Sequence, residues 1–176
     1  MWSIKHRLYL GNYWSGEQAL VGAVAPVHPS GETAMFSGVI SLCPMPLEGE
    51  TLLGPVDSSI RWLHLPIADG GLGEGEFAAA LELCMPFFSE QSRKGNVLVH
   101  CAAGMSRSVS VVAAILCSEN PELSVDDAFR AIAEAKARAV GAPAGDEDLL
   151  VAPAWEFRNH LRRRFAEPSR RANGRP

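Results

Sequence analysis

The chain has 176 residues, of which 47% are hydrophobic and 20% are charged, and its formal net charge at pH 7 is −4. This length and balance predict one soluble globular domain with a continuous core, and they disfavour a disordered chain. An acidic chain lacks the basic surface that general nucleic-acid binding needs, and no apolar run approaches the roughly 20 residues that span a bilayer, so neither nucleic acid nor membrane is expected as a partner.

The first half of the chain is predicted to form strands separated by loops. The alternating segment 7–11 predicts a strand, and the spacing of Ser15 and Gln18 predicts a capping box at the start of a short helix. Apolar runs at 38–43 and 60–65 are each closed by a proline and predict two further strands. Proline and glycine clusters predict loops at 26–31, 44–55 and 141–145.

The middle of the chain predicts two helices around one buried strand. Apolar residues recur at helical spacing over 75–91, although Pro86 is expected to kink or end that helix. Segment 96–100 is a short apolar run of the kind that forms strands buried on both faces. The run that follows it, 108–117, is apolar on nearly all sides and predicts a helix in the core.

Two more helices are predicted toward the C-terminus. Ser124 is expected to cap the first, and Asp146 to open a second segment that reaches about Phe165 with an interruption near Pro153. The alternation of strands and helices predicts an α/β domain with a mainly parallel central sheet flanked by helices. The ligand site of such a domain lies beyond the carboxyl ends of the strands.

The domain is expected to occupy residues 1–166, followed by a flexible basic tail at 167–176. The arginine-rich end that begins at Arg162, Arg163 and Arg164 is interpreted as a solvated helix terminus and frayed tail. No linker, internal repeat or low-complexity segment suggests a second domain.

The segment from Cys101 to Arg107, called here the cysteine loop, carries the strongest functional signal. A cysteine and an arginine separated by five residues, between a buried strand and a helix, direct successive main-chain N–H groups at one anion. The residues expected to bind phosphate in this way are Ala102, Ala103, Gly104, Met105 and Ser106, together with Arg107, whose planar guanidinium group can bind two oxygens. Positive potential at the helix N-terminus lowers a thiol pKa from about 8.5 into roughly the 3.5–7.5 range, so Cys101 is expected to be a nucleophilic thiolate.

Attack of a thiolate on a phosphomonoester also needs an acid to protonate the leaving oxygen. Asp69 is the candidate, because it follows the strand 60–65 in a glycine-rich loop that a parallel sheet places at the edge of the cysteine loop. Glu74, Glu76 and Asp57 are weaker candidates. The same carboxylate could then activate the water that releases phosphate, while Ser108 donates a hydrogen bond to the departing sulfur.

The sequence His-Cys-Ala-Ala-Gly-Met-Ser-Arg-Ser at 100–108 closely resembles the signature of dual-specificity protein phosphatases. Segment 7–11, the strand ending at Cys43 and segment 65–69 resemble that family in the same order, so that the resemblance covers about residues 5–165. It implies a protein tyrosine phosphatase-like three-layer α/β/α fold. It also implies catalysis without a metal or other cofactor.

The resemblance further implies a role for each residue of the signature. Cys101 would be the nucleophile, Asp69 the general acid, Arg107 the phosphate ligand, Ser108 an aid to breakdown of the phosphocysteine, and His100 a structural neighbour that tunes the thiolate. The implied substrates are phosphotyrosine and phosphoserine/threonine in proteins, with small aryl phosphates as substrates in vitro. Phosphate and other tetrahedral oxyanions are expected to bind in the same loop.

Two other functions are considered. A phosphopeptide-binding module would keep the loop but turn over little substrate if Asp69 were misplaced. Sulfur or arsenate transfer by a related cysteine loop is disfavoured by the pair Arg107 and Ser108 and by Asp69. Within the phosphatases, the neutral Ala102, Ala103 and Met105 differ from the lysines that phosphoinositide phosphatases place in this loop, which favours a substrate with a single phosphate.

The cysteines indicate a cytoplasmic location. Cys43, Cys84, Cys101 and Cys117 lack the paired spacing of metal sites and are interpreted as reduced thiols, and no secretory signal is recognised at the N-terminus. Cys84 and Cys117 occupy apolar helical positions and are expected to be buried. If strands 38–43 and 96–100 are neighbours, Cys43 would lie near Cys101, and oxidation could join the two in a protective disulfide.

Overall fold

A six-stranded sheet with a parallel centre organises the chain. The computed structural model describes residues 1–45, 54–70, 74–141 and 150–166. The elements in chain order are β1 (Trp2–Lys5), β2 (Leu8–Gly11), α1 (Tyr13–Gly22), β3 (Val24–Pro26), β4 (Thr33–Ser41), β5 (Arg61–His64), α2 (Glu74–Gln91), β6 (Asn96–His100), α3 (Arg107–Glu119), α4 (Val125–Val140) and α5 (Trp155–Arg164).

Four parallel strands end together at one edge of the sheet. Strand β6 lies between β2 and β4, and β5 pairs with the other side of β4. In register, His100 of β6 is the partner of Gly11 in β2 and of Ser41 in β4, and Ser41 is also the partner of His64 in β5. The segments that follow these four residues therefore meet at the same edge, where a ligand site is expected.

The helices cover the two faces of the sheet unequally. Helices α2 to α5 bury their apolar residues against one face, where Ile40, Val97 and Val99 contribute to the larger core. Helix α1 covers the other face, with Leu20 in a smaller core beside Val39 and Leu98. Along each of these strands successive side chains point to opposite faces, so both faces are apolar and both need a covering layer. The predicted three-layer α/β/α fold is confirmed.

The predicted strands are present, but the sheet is larger than predicted. Strands β1 and β3 were not predicted, and they add antiparallel edges to β2 and to the N-terminal part of β4. Strand β4 begins at Thr33, five residues before the predicted start at Gly38. Its first residues alternate between exposed and buried, so they lack the continuous apolar run that marks the rest of the strand.

One predicted helix signal is wrong, and one predicted helix is confirmed. Helix α1 begins at Tyr13 with Asn12 as its N-cap, whose side chain accepts a hydrogen bond from Ser15 N at 3.1 Å, so Ser15 does not open a capping box. The helix predicted over 75–91 is present as α2, which continues through Pro86 instead of ending there. Phe77 and Phe88 are buried on either side of the proline, and this packing offsets the lost main-chain hydrogen bond.

The interpretation of the α5 arginines as simply solvated is wrong. They hold α5 to its neighbours through ion pairs that join Arg162 to Asp126 of α4, Arg163 to Glu74 of α2 and Arg164 to Glu82 of α2. Each pair is partly exposed and stabilises the fold only slightly. The predicted helix start at Asp146 and the predicted tail at 167–176 lie outside the described residues.

No helix within the described ranges is long and apolar enough to cross a bilayer.

Candidate active site

The cysteine loop joins strand β6 to helix α3 at the edge where the parallel strands end. β6 ends at His100, and α3 begins at Arg107, as the sequence predicts. The loop is therefore held between a buried strand and the N-terminus of a buried helix. That helix end supplies partial positive charge and free main-chain N–H groups.

Four carbonyl oxygens of the loop accept hydrogen bonds from groups outside it. These bonds run from Tyr13 N to Ala102 O (3.0 Å), from Lys136 Nζ to Gly104 O (2.7 Å), from Ala152 N to Met105 O (2.9 Å) and from Ser110 N to Ser106 O (2.9 Å). Because the carbonyl oxygens are turned toward these outer donors, the N–H groups of the loop are free to point toward its interior. A ring of inward N–H groups is the arrangement that binds a tetrahedral oxyanion.

Gly104 allows the loop to turn tightly against its surroundings. Its φ of +72° lies in the left-handed region, and a Cβ at this position would lie 2.8 Å from Gly11 O and 3.0 Å from Trp2 Cζ3. A side chain here would therefore strain the main chain and also collide with β2 and β1. Glycine is required at this position for two independent reasons.

Cys101 is buried at the base of the loop, with 1% of its surface exposed. Burial alone would raise the pKa of its thiol. The Ser108 hydroxyl, whose oxygen lies 3.1 Å from Cys101 Sγ, main-chain hydrogen bonds from Ser108 and Gly104, and the charge of Arg107 together lower that pKa below its ordinary value. The arrangement favours the thiolate, the form of cysteine that acts as a nucleophile.

Arg107 is fixed by main-chain carbonyls at the carboxyl end of the sheet. Its Nη1 donates to Leu42 O at 3.3 Å and to Ile67 O at 3.1 Å, and 8% of the residue is exposed. Its Nε lies 3.4 Å from Asp69 Oδ2, within ion-pair distance, but makes no hydrogen bond to any residue that the structure describes. This buried N–H group is available to a phosphoryl oxygen.

Asp69 lies at the site as predicted, and the weaker carboxylate candidates have other partners. The segment after β5 follows the end of β4, with Leu65 N bonded to Ser41 O at 2.8 Å, and so carries Asp69 to Arg107. The Asp69 side chain is 45% exposed and can reach a bound substrate.

The three other carboxylates are engaged in local structure. Glu76 accepts a hydrogen bond from Ala68 N at 3.1 Å, Glu74 pairs with Arg163, and Asp57 accepts hydrogen bonds from Ser59. None of these contacts joins them to the cysteine loop. Asp69 is the acidic residue whose carboxylate contacts the loop arginine.

His100 is fully buried and belongs to a chain of hydrogen bonds. Trp62 Nε1 donates to Ser41 Oγ at 2.9 Å, so the Ser41 hydroxyl can donate to His100 Nε2, which lies 2.6 Å away. When the Ser41 hydroxyl donates in this way, Nε2 is the acceptor and the ring proton lies on Nδ1. Burial lowers the pKa of His100 to about 4, which agrees with a neutral ring.

Cys43 lies close to Cys101, as the strand order predicted. Strands β4 and β6 are adjacent and parallel, and Leu42 N donates to His100 O at 3.0 Å just before the two cysteines. Burial, followed by the negative charge of Cys101, raises the pKa of Cys43 to about 11. Both cysteines are free thiols in the structure, so the disulfide stays a prediction.

Sequence reasoning missed the residues that support the loop from a distance. Trp2, Ser41, Trp62 and Lys136 lie on four different elements and have no fixed spacing from Cys101. Lys136 did leave a signal, because it falls four residues after Ile132 in the apolar stripe of α4 and is 1% exposed. A lysine within a buried stripe indicates a specific internal partner. Among the described residues, no cluster of histidine, cysteine or carboxylate side chains could hold a metal ion.

Comparison with known proteins finds a matching family model and related sequences. The family model described as dual specificity phosphatase, catalytic domain, matches residues 57–143. The dual specificity protein phosphatase OPG106 of vaccinia virus (strain Copenhagen) is 31% identical over 129 residues, which cover 70% of this chain and 63% of that protein. The dual specificity protein phosphatase H1 of variola virus is 30% identical over 129 residues, with the same coverage. The chain thus spans a little under two thirds of the length of these relatives.

Solved structures show the same fold. The crystal structure of DUSP15 superposes with a TM-score of 0.68 at 22% identity, over 96% of this chain and 89% of that one. Human DUSP28 gives a TM-score of 0.63 at 17% identity, over 98% and 100% of the two chains. These structures show the shared fold, and the family model together with the viral relatives places the chain in the dual-specificity phosphatase family.

Proposed function

We propose that the chain is a cysteine-dependent protein phosphatase that hydrolyses phosphotyrosine and phosphoserine/threonine through a phosphocysteine intermediate. The observation that carries this proposal is the outward turn of the loop carbonyls, which leaves the N–H groups of the cysteine loop to bind a phosphoryl group beside a thiol of lowered pKa. Donors placed in advance around the transferring group lower the barrier to both displacements.

In the first displacement, Cys101 Sγ attacks phosphorus, and the bond from phosphorus to the substrate oxygen breaks. Asp69 gives its proton to that oxygen, so the product leaves as an alcohol or phenol. Arg107 and the loop N–H groups bind the three equatorial oxygens during the transfer. The result is a phosphocysteine in the same loop.

In the second displacement, a water molecule attacks the phosphocysteine. Asp69, now a carboxylate, takes a proton from this water as the new bond to phosphorus forms. The sulfur–phosphorus bond breaks, and the Ser108 hydroxyl, 3.1 Å from Cys101 Sγ, stabilises the departing thiolate. Phosphate leaves, and the loop is ready for another substrate.

A binding module without turnover is not favoured. That alternative required a misplaced acid, whereas Asp69 lies 3.4 Å from Arg107 Nε. The neutral residues Ala102, Ala103 and Met105 support a substrate with one phosphate over a phosphoinositide. A related structure is titled PTPMT1 in complex with PI(5)P, at 19% identity, so a phosphoinositide belongs in any substrate panel.

The proposed cellular setting follows the sequence prediction. We propose that residues 1–166 form the catalytic domain and act on cytoplasmic phosphoproteins, without nucleic acid or membrane as a partner. The four cysteines are all free thiols, which supports a reducing compartment.

The decisive experiment compares the wild-type chain with Cys101→Ser and Cys117→Ala on a generic aryl phosphate. Cys117 is a matched control because it is also buried, but burial raises the pKa of its thiol to about 11. We expect Cys101→Ser to bind phosphate without turnover and Cys117→Ala to retain activity. Unchanged hydrolysis by Cys101→Ser would reject the mechanism. A panel of phosphotyrosyl, phosphoseryl and phosphoinositide substrates then defines the substrate class.

A further inference from the structure

Lys136 contacts the outer side of the cysteine loop from helix α4. Its Nζ donates to Gly104 O at 2.7 Å and also to Leu150 O. The ammonium group lies 4.3 Å from the centroid of the Trp2 ring, and 1% of the residue is exposed. Lys136 therefore links the loop to α4, β1 and the segment before α5.

The contact falls at the residue where the loop turns most sharply. Gly104 has a φ of +72°, and it lies so close to Trp2 and to Gly11 O that no side chain fits. Its carbonyl must face the surroundings of the loop if its neighbouring N–H groups are to face the interior. A charged donor holds a carbonyl more strongly than a neutral one.

The position of Lys136 also has an electrostatic consequence. A positive charge behind the loop adds to the potential of the α3 N-terminus and of Arg107. Burial lowers the pKa of Lys136 to about 8, and the negative charge of Cys101 acts in the opposite direction. The thiolate and the ammonium group therefore sense each other through the loop, and such coupling is reciprocal.

We propose that Lys136 is a positioning residue of the active site, which fixes the Gly104 carbonyl on the outside of the cysteine loop and thereby holds the loop N–H groups toward the phosphoryl group. This inference rests on the proposed phosphatase function. Lys136 touches neither substrate nor sulfur in this mechanism and acts through Gly104.

The first test measures kcat, KM and inhibition by inorganic phosphate for Lys136→Met, Lys136→Arg and Lys94→Met. Methionine keeps the length of the side chain without its charge or donors, and arginine can still donate to the carbonyl. Loss of a hydrogen bond from a charged group predicts that Lys136→Met lowers kcat/KM by about 10- to 100-fold and weakens phosphate inhibition. Lys136→Arg should recover part of both. The exposed Lys94, which pairs with Glu90, is the control and should match the wild type.

Two kinetic outcomes would overturn the proposal. One is a folded Lys136→Met variant whose kcat/KM and phosphate inhibition lie within about twofold of the wild type. The other is an equal loss of kcat in the methionine and arginine variants with unchanged phosphate inhibition, which would assign Lys136 to the fold alone.

A second test needs no variant and remains decisive if Lys136→Met does not fold. The lysines of the wild-type chain, labelled with ¹³C, are titrated by NMR with and without inorganic phosphate. The other lysines, Lys5 and Lys94, have partly exposed side chains and serve as internal references. An anion bound in the loop should raise the pKa of Lys136 relative to both references. An unchanged Lys136 pKa at saturating phosphate would contradict the proposal, whereas a chain that shows the shift but no turnover would contradict only the phosphatase function.

Discussion

The buried His100 predicts a specific loss of stability at acidic pH. Its Nε2 lies 2.6 Å from the Ser41 hydroxyl oxygen, and burial lowers its pKa from 6.5 to about 4. In the unfolded chain the same histidine takes up its proton near pH 6.5. Because the folded pKa is the lower one, the unfolded state binds more protons between these values, so stability increases with pH there and is lost as the pH falls from 6.5 to 4.

The size of the effect follows from the two pKa values. At pH 7 the unfolded histidine is mostly neutral, so the histidine lowers the free energy of unfolding by only about 0.2 kcal/mol. At pH 5 the unfolded histidine is almost fully protonated while the folded one is about nine-tenths neutral, and the loss reaches about 2 kcal/mol. A change of this size is a large part of the stability of an ordinary domain.

Urea unfolding of the wild-type chain and of His100→Gln at pH 7 and pH 5 measures this effect. Glutamine can accept the Ser41 hydrogen bond but does not titrate, and the carboxylates titrate alike in both proteins. Between the two pH values, we expect the wild type to lose about 2 kcal/mol more than His100→Gln. His6→Gln, at an exposed histidine, controls for the removal of an imidazole and should behave as the wild type. A difference between the wild type and His100→Gln below about 0.5 kcal/mol would refute the reasoning.

Two further predictions concern the cysteine loop. Gly104→Ala should lower stability by more than Gly141→Ala and abolish most activity. Both glycines have positive φ, but of the two only Gly104 would place a new Cβ against atoms of the described residues, the nearest at 2.8 Å. Backbone strain alone predicts that Gly141→Ala lowers the free energy of unfolding by about 1–2 kcal/mol. Equal losses of stability in the two variants, measured by thermal unfolding, would contradict the predicted collision at Gly104. Mild peroxide should link Cys43 to Cys101 in a disulfide that peptide mass spectrometry can detect. In the Cys43→Ala variant, peroxide should overoxidise Cys101 faster than in the wild type. Recovery of only overoxidised Cys101 from the wild-type chain would count against the disulfide.

The placement of the cysteine loop between a strand and a helix could be predicted from the sequence because it depends on neighbours along the chain. The strand, the tight turn at Gly104 and the helix that begins at Arg107 are local features with local signals. Asp69 is distant in sequence, but the rule that parallel strands end at one edge was sufficient to place it near Arg107. The topology of the parallel sheet thus predicted this contact between residues distant in sequence.

The edge strands β1 and β3 could not be predicted because their signals are short, and the path of α2 past Pro86 depends on tertiary packing. Strand β3 has three residues and contains Pro26, and β1 has four residues near the N-terminus. Pro86 disfavours a helix, yet packing on both sides of it keeps α2 continuous. Apolar spacing therefore predicted the helix over 75–91 correctly, and burial decided that it does not end at Pro86.

The supporting contacts of the loop show why its signature alone does not make a site. The loop N–H groups are free to converge because the opposite carbonyls bond to Tyr13, Lys136 and Ala152, which lie on three separate segments. The donors of Tyr13 and Ala152 are main-chain N–H groups, which almost every residue type has, so the sequence gives no signal for them. Lys136 is different, because its side chain is the donor and its identity can be varied. The contribution of the surrounding fold to the cysteine loop can therefore be tested most directly at this lysine.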